Sequence, residues 1–304
     1  MNLLEKLCHI PGPAGSETAV TKFVLEYVRR HQAGWKQPPQ VLAGPEWQDC
    51  IMLVFGEPRT VIFAHLDTVG YTVRYDNKLV PIGGPDAPHG TKLVGRDARG
   101  EVEATLVADD SGQILCVDAP RAIAPGTELT YKPDFRLTED YVQCCYLDNR
   151  LGVWNALRVA ETLQDGVIAF SCWEEHGGGS VAYLIKHLYE TRGIKQALIS
   201  DITWVTEGVR AGEGVAVSMR DRSIPRRTYV ERVLRIAEAS GVPYQIEVEG
   251  SGGSDGQEVQ RSPYPVDWCF VGAPEDHVHS PDEKVHRADI EAMVRLYEVL
   301  MREL

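Results

Sequence analysis

Val167-Ile-Ala-Phe-Ser-Cys-Trp-Glu-Glu-His-Gly-Gly-Gly-Ser180 decides how this chain reads. An apolar, mostly β-prone run heads into two adjacent carboxylates, then into glycines, then into an amphipathic segment. The pattern predicts a buried strand, a tight turn and a helix start. Open α/β sheets bind ligands at the carboxyl ends of their strands, which puts Glu174 and Glu175 where chemistry is expected. Neighbouring side chains leaving a strand point in different directions, so one can hold a metal while the other handles a proton. An isolated Glu-Glu pair is usually a solvated loop. Three other predicted strand ends that also carry metal-ligand residue types change that balance.

Working outward, residues 61–64 predict a buried strand that delivers His65 and Asp67. Residues 141–147 predict a strand delivering Asp148, followed by a helix over about 149–163. A helix over about 181–190 follows the Glu174-Glu175 turn, and a strand over 196–200 delivers Asp201. A strand over 268–272 leads through a short loop to His277 and His279. Further strands are expected over 215–219 and 244–248, helices over 229–239 and 288–302, and a glycine-rich turn at 250–256. Near the start, a short helix over 3–9 meets Pro11-Gly-Pro-Ala-Gly15, and Ser16 is placed to cap a helix. Val20, Phe23, Val24, Tyr27 and Val28 give that helix one apolar stripe. Residues 71–141 have another texture. Short strand-like runs at 78–82, 102–107, 113–117 and 127–131 alternate with turn signals at Gly83-Gly84, 97–100 and 110–112. The fold class is therefore α/β with a small inserted all-β unit. This divides the chain into residues 1–70 plus 142–304 and an insert at 71–141.

The 304 residues carry a formal net charge of −13 spread along the chain, which argues against a nucleic-acid partner. Seven cysteines, an odd number without zinc-ribbon spacing, read as reduced thiols in a cytoplasmic protein. The first residues lack the features of a signal peptide, and no stretch approaches the length of a membrane span, so no membrane partner is expected.

The candidate metal ligands are His65, Asp148, Glu175, Asp201 and His279. Five ligands exceed one tetrahedral zinc and suit two divalent metal ions sharing a carboxylate. Three carboxylates against two such ions leave a net positive centre able to acidify a bridging water. Imidazoles mixed with carboxylates favour zinc, cobalt or manganese over calcium or magnesium. Glu174, left uncoordinated, is placed to act as general base. Asp67 fits as the carboxylate that fixes the His65 tautomer. Singly, Asp148 could be a helix N-cap and Asp201 a turn residue, while His277 and His286 compete with His279.

Several stretches together resemble the dinuclear-metal aminopeptidases of the glutamyl-aminopeptidase and tetrahedral-aminopeptidase group, within the zinc exopeptidase superfamily. They are the opening helix with Pro-Gly then Ser-Glu, Ala-His65-Leu-Asp67-x-x-Gly70, Leu-Asp148-Asn-Arg-Leu-Gly152, Glu174-Glu175, Asp201, Gly252-Gly-Ser-Asp255 and His279-Ser280. The resemblance covers nearly the whole chain and implies a three-layer αβα aminopeptidase-like domain with a barrel-like β insert. It implies that Asp148 bridges the metals, with His65 and Asp201 on one and Glu175 and His279 on the other. It also implies Glu174 as base and proton shuttle, a cis peptide at Asp148–Asn149, and assembly into a homo-oligomer. The β section looks shorter than the family's, which puts the twelve-subunit shell in question. His176-Gly-Gly-Gly also departs from the family's usual turn.

The expected function is a metallo-aminopeptidase that removes N-terminal residues from peptides with a free amino terminus. A metal-bridging hydroxide would attack the first peptide carbonyl. The alternatives are an N-acyl amino-acid deacylase or another amidohydrolase on the same centre, and a scaffold that binds metal without catalysis. The preferred N-terminal residue stays open. Arg220, Arg222, Arg226 and Arg227 could favour acidic residues, although charge runs are more often solvated surface.

Overall fold

The computed structural model describes residues 1–108 and 115–304. The turn expected at 110–112 and the start of the strand expected at 113–117 lie outside the described residues. Among those described, eleven strands form one large sheet and six form a second.

Four parallel strands make the heart of the large sheet, in the order Gly166–Ser171, Thr60–His65, Gln196–Trp204 and Asp267–Asp276. The first two are buried at every position, as unbroken apolar runs must be when helices cover both faces. Leu147–Ala160 packs on this centre and against Arg287–Glu303, which in turn packs on Arg227–Ser240. Ser180–Arg192 and Asp255–Arg261 pack on each other and supply the other helical layer of the αβα sandwich.

The second sheet is antiparallel throughout, in the order Leu79–Ile82, Gly70–Val73, Glu128–Tyr131, Lys92–Asp97, Gly100–Ala108, Leu115–Asp118. A bridge between Lys78 and Cys116 brings its first and last strands together, so the sheet curls on itself. Alternation explains its interior, since Val102, Ala104 and Leu106 point inward while Glu101 and Glu103 face out. Gly70–Val73 and Lys92–Asp97 are strands the sequence did not predict; Lys92-Leu-Val-Gly-Arg-Asp97 mixes charge and glycine into its alternation. Arg136–Leu137 and Tyr141–Gln143 then pair outward from Lys284–His286 at one edge of the large sheet.

Some boundaries differ from expectation. The strand expected over 141–147 stops at Gln143. Tyr146 takes a left-handed backbone, the Asp148–Asn149 peptide is cis as the resemblance implies, and the helix starts at Leu147. The strand of Asp201 runs on to Trp204, so this residue lies inside a strand rather than at its end. The glycine-rich turn at 250–256 conceals the start of a helix, Asp255–Arg261, where the Ser254 side chain accepts from Gly256 N–H. The second helix begins at Thr18, preceded by Glu17 rather than capped by Ser16. All seven cysteines are free. Among the described residues no helix is long and apolar enough to cross a membrane.

Candidate metal centre

Strand register builds the first half of the centre. Ser171 pairs with His65, and Ile199 pairs with Phe63. Two residues further along both strands, Asp201 therefore stands level with His65 on the same face. Asn149 donates to Ser200 O at 2.9 Å, which fastens the cis turn carrying Asp148 to the same strand. His65 Nε2 lies 3.3 Å from Asp148 Oδ1 and 3.6 Å from Asp201 Oδ2.

Loops build the second half. Glu175 lies in a short helical turn over Glu174–His176, entered through Trp173 in a left-handed conformation. His279 follows the strand Asp267–Asp276 and also has positive φ. Its Nε2 lies 3.2 Å from Asp148 Oδ2 and 3.1 Å from Glu175 Oε2. The two oxygens of Asp148 thus serve different imidazoles. His65, Asp148 and Asp201 form one group with metal-ligand spacing; Asp148, Glu175 and His279 form another.

Both imidazoles have the same tautomer. His65 Nδ1 donates to Asp67 O at 3.2 Å, and His279 Nδ1 donates to Gly84 O at 3.1 Å. The Asp67 carboxylate also lies 3.5 Å from His65 Nδ1. With Nδ1 holding the proton, each Nε2 presents a lone pair to carboxylate oxygens. Such a face requires a cation, either a second proton on the ring or a metal. Buried Glu175 Oε1 has no hydrogen-bond partner either.

The titration shifts carry the same message. Burial alone would lower the His65 ring, but Asp201, Asp148 and Asp67 hold it well above the usual imidazole range. His279 is likewise lifted against burial by Asp148 and Glu175, to about 12. Burial favours protonated Asp148, yet His279 and His65 keep its carboxyl well below the ordinary value. Burial and then Asp148 push Glu175 up to about 7. Glu174 is pushed well above the usual range by burial and by Glu175, Asp201 and Asp255, against the pull of His65. More negative charge is buried here than two imidazoles balance, so the residues present fit divalent cations.

Asp67 ties the parts together. Its Oδ1 and Oδ2 accept from the N–H groups of Glu174 and Glu175 at 3.1 and 3.0 Å. Glu174 lines the same cavity, of about 290 Å³, as His65, Asp148, Glu175, Asp201 and His279. His277 is exposed, and His286 caps the last helix by accepting from Ala288 N–H at 3.2 Å; neither joins the centre. His176 accepts from Gly83 N–H at 3.0 Å. Of the four arginines, Arg226 pairs with Asp267 and Arg227 with Glu231, Arg220 turns to Asp221 O, and Arg222 alone lines the cavity.

Sequence reasoning gave no role to several buried acids around the centre. Glu283 accepts from Asp148 N–H at 3.1 Å. Asp255 accepts from the Ser171 hydroxyl, and burial pushes it up to about 7. Glu17 accepts from Gly15 and Trp173 N–H groups and is pushed to about 7 by burial. Their signal was an acid beside a glycine-rich or proline-rich turn, and for Glu283 there was none.

Residues 110–296, more than half of the chain, match the model of the M42 glutamyl aminopeptidase family. The chain belongs to that family, and is accordingly a metal-dependent hydrolase of peptide bonds. It is 23% identical, across 97% of itself and 96% of the relative, to a protein of Acetivibrio thermocellus provisionally named an aminopeptidase. The TET1 peptidase of Pyrococcus horikoshii, which can assemble into a tetrahedron or a large octahedral shell, is 24% identical. Its structure matches with a TM-score of 0.83, over 100% of this chain and 99% of that one. An aminopeptidase of the archaeon Desulfurococcus kamchatkensis matches with a TM-score of 0.87 at 19% identity, over 100% of this chain and 94% of that one. These structural likenesses carry the fold, including the separate curled sheet.

Proposed function

We propose that this chain is a dinuclear metallo-aminopeptidase that removes single residues from the free amino terminus of peptides. The observation that carries the reading is the division of Asp148 between two imidazoles of like tautomer, at 3.3 and 3.2 Å. His65, Asp148 and Asp201 would hold one divalent cation; Asp148, Glu175 and His279 would hold the other. The mixed nitrogen and oxygen donors suit zinc, with cobalt or manganese as substitutes. Bound there, such ions acidify water and polarise the scissile carbonyl.

The chain's own part in the chemistry falls to Glu174. Its carboxylate lines the cavity beside the ligands, and Asp67 fixes its backbone. It accepts the attacking water's proton and returns it to the leaving amine. Asp67 holds His65 in the tautomer that leaves Nε2 free. Residues 1–70 with 142–304 would form the catalytic domain and residues 71–141 the inserted β domain, except that the end of this insert, from Arg136 to Tyr141, pairs with the large sheet. The protein works as a homo-oligomer in the cytoplasm, a reading supported by the assembling relative and by seven free cysteines.

Glu174→Gln tests the mechanism. It should retain two metal equivalents per chain while turnover falls about 10²–10⁴-fold; turnover near the wild-type level defeats the assignment. Comparing free with N-acetylated peptides separates the reading from its rival, because preference for the acetylated series makes the protein a deacylase.

A further inference from the structure

The cavity does not end at the metal ligands. It continues past Ile202 and Thr203 to Trp204, Asp221, Glu247 and Glu249, with the glycine-rich loop at Gly252 on its other side. We propose that this extension receives the side chain of the substrate's N-terminal residue and selects a cationic one, lysine or arginine, through Glu247. The proposal rests on the aminopeptidase reading and names its substrate class.

Glu247 is the decisive residue. It is 3% exposed yet lines the cavity. The Thr203 hydroxyl donates to its Oε1. Among the described residues no basic side chain pairs with it, although an unpaired buried carboxylate is costly. Burial raises its carboxyl, and neighbouring Asp221 and Glu249 add to that. A guest ammonium or guanidinium supplies the missing partner. Arg222 does not, being an exposed residue of the cavity lining that forms no ion pair among the described residues. Three carboxylates against one guanidinium leave the extension negative, which disfavours an acidic guest.

The spacing suits a long side chain. Thr203 follows Asp201 by two residues in one strand, so both point to the same face about 6–7 Å apart. Glu247, held by Thr203, therefore stands one strand repeat beyond the metal ligand. A four-carbon lysine stem reaches it, whereas a short polar side chain falls short. The indole of Trp204 forms one wall, backed by Gly252, where a Cβ would lie 3.2 Å from the ring and φ is +77°. That indole can pack against an aliphatic stem and attract its cationic head.

The test uses the metal-loaded full chain and the p-nitroanilides of lysine, arginine, leucine and glutamate. Wild-type kcat/KM should be at least about tenfold higher for lysine and arginine than for leucine, and lowest for glutamate. Glu247→Gln should cut the lysine-to-leucine ratio by about tenfold or more, a change that general structural damage would not make. Leucine or glutamate equal to lysine in the wild type overturns the proposal and leaves the aminopeptidase reading intact. So does an unchanged ratio in the variant. Calorimetry with free lysine, leucine and glutamate needs no turnover. Selective lysine binding by a protein that cleaves none of the anilides supports the pocket and sinks the aminopeptidase reading instead. Should Glu247→Gln fail to fold, the wild-type rates and calorimetry decide alone.

Discussion

His65 and His279 aim the same atom at the same carboxylate, yet different parts of the molecule hold them. The side chains of His65 and Asp201 are 2% and 7% exposed and hang from adjacent parallel strands whose register is set by backbone hydrogen bonds. His279 is 29% exposed and sits on a loop. The curled β unit steadies that loop from one of its own loops and one of its strands: Gly84 O accepts from the His279 ring, while Tyr131 hydroxyl and Asp86 N–H donate to its carbonyl at 2.9 and 3.0 Å. Gly83 comes so close that an added Cβ would lie 2.9 Å from Glu175 O. One half of the centre is thus a property of the sheet, and the other depends on two units staying in contact. Equal ligand chemistry on unequal supports should give unequal cation affinities.

Single-histidine variants probe this most strongly. His65→Ala should lose both cations, and leaving Asp148 and Asp201 buried without a partner should cost about 3–5 kcal/mol. His279→Ala should keep about one equivalent and lose less stability. Metal content by mass spectrometry together with urea denaturation checks both, and equal losses would erase the distinction between the halves. Tyr131→Phe gives a smaller effect. It removes the hydroxyl that steadies the His279 carbonyl, so refilling stripped protein should show the weaker cation step alone weakened, by about tenfold.

The smallest expected effect concerns the buried half and pH. Glu17 ionises near 4.5 when unfolded and near 7 when folded, so the folded state favours its neutral form. The stability this contributes is complete below about 4.5 and is lost as pH rises through about 7. Both N–H donors reach one oxygen, which glutamine also offers. Glu17→Gln should therefore flatten the stability profile across that window and be more stable than wild type at pH 8, by about 1 kcal/mol. A profile parallel to wild type would assign the pH response to Asp255 and the other buried acids.

The same contrast explains what the sequence revealed. Apolar runs such as Val61–Ala64 and Val167–Phe170 leave only a buried strand as their use, so the residues after them, His65 and Glu174-Glu175, were easy to place. Asp201 was found for a partly mistaken reason, because its strand continues through Ile202 to Trp204. Asp148 was harder still. Cys144 to Leu147 are apolar enough for a strand, and Cys144 N–H to Glu283 O still follows the edge register, but the left-handed backbone at Tyr146 then turns the chain out of the sheet. The supports of His279 were invisible, since Gly84, Asp86 and Tyr131 lie about 150–195 positions away and act mainly through backbone atoms that carry no residue signature. Asp255–Arg261 was hidden because four glycines from 250 to 256 mask a helix start that only the Ser254 cap announces.

Asp67 has a consequence for how freely this site can change. One carboxylate orients a ligand imidazole from one strand end and receives two consecutive peptide N–H groups from the next. Residues 65–67 and 174–175 are therefore a single structural unit, and a change in either segment is felt by the other. Anyone grafting the paired glutamates onto a different scaffold would have to carry across an acid two places after the adjacent histidine.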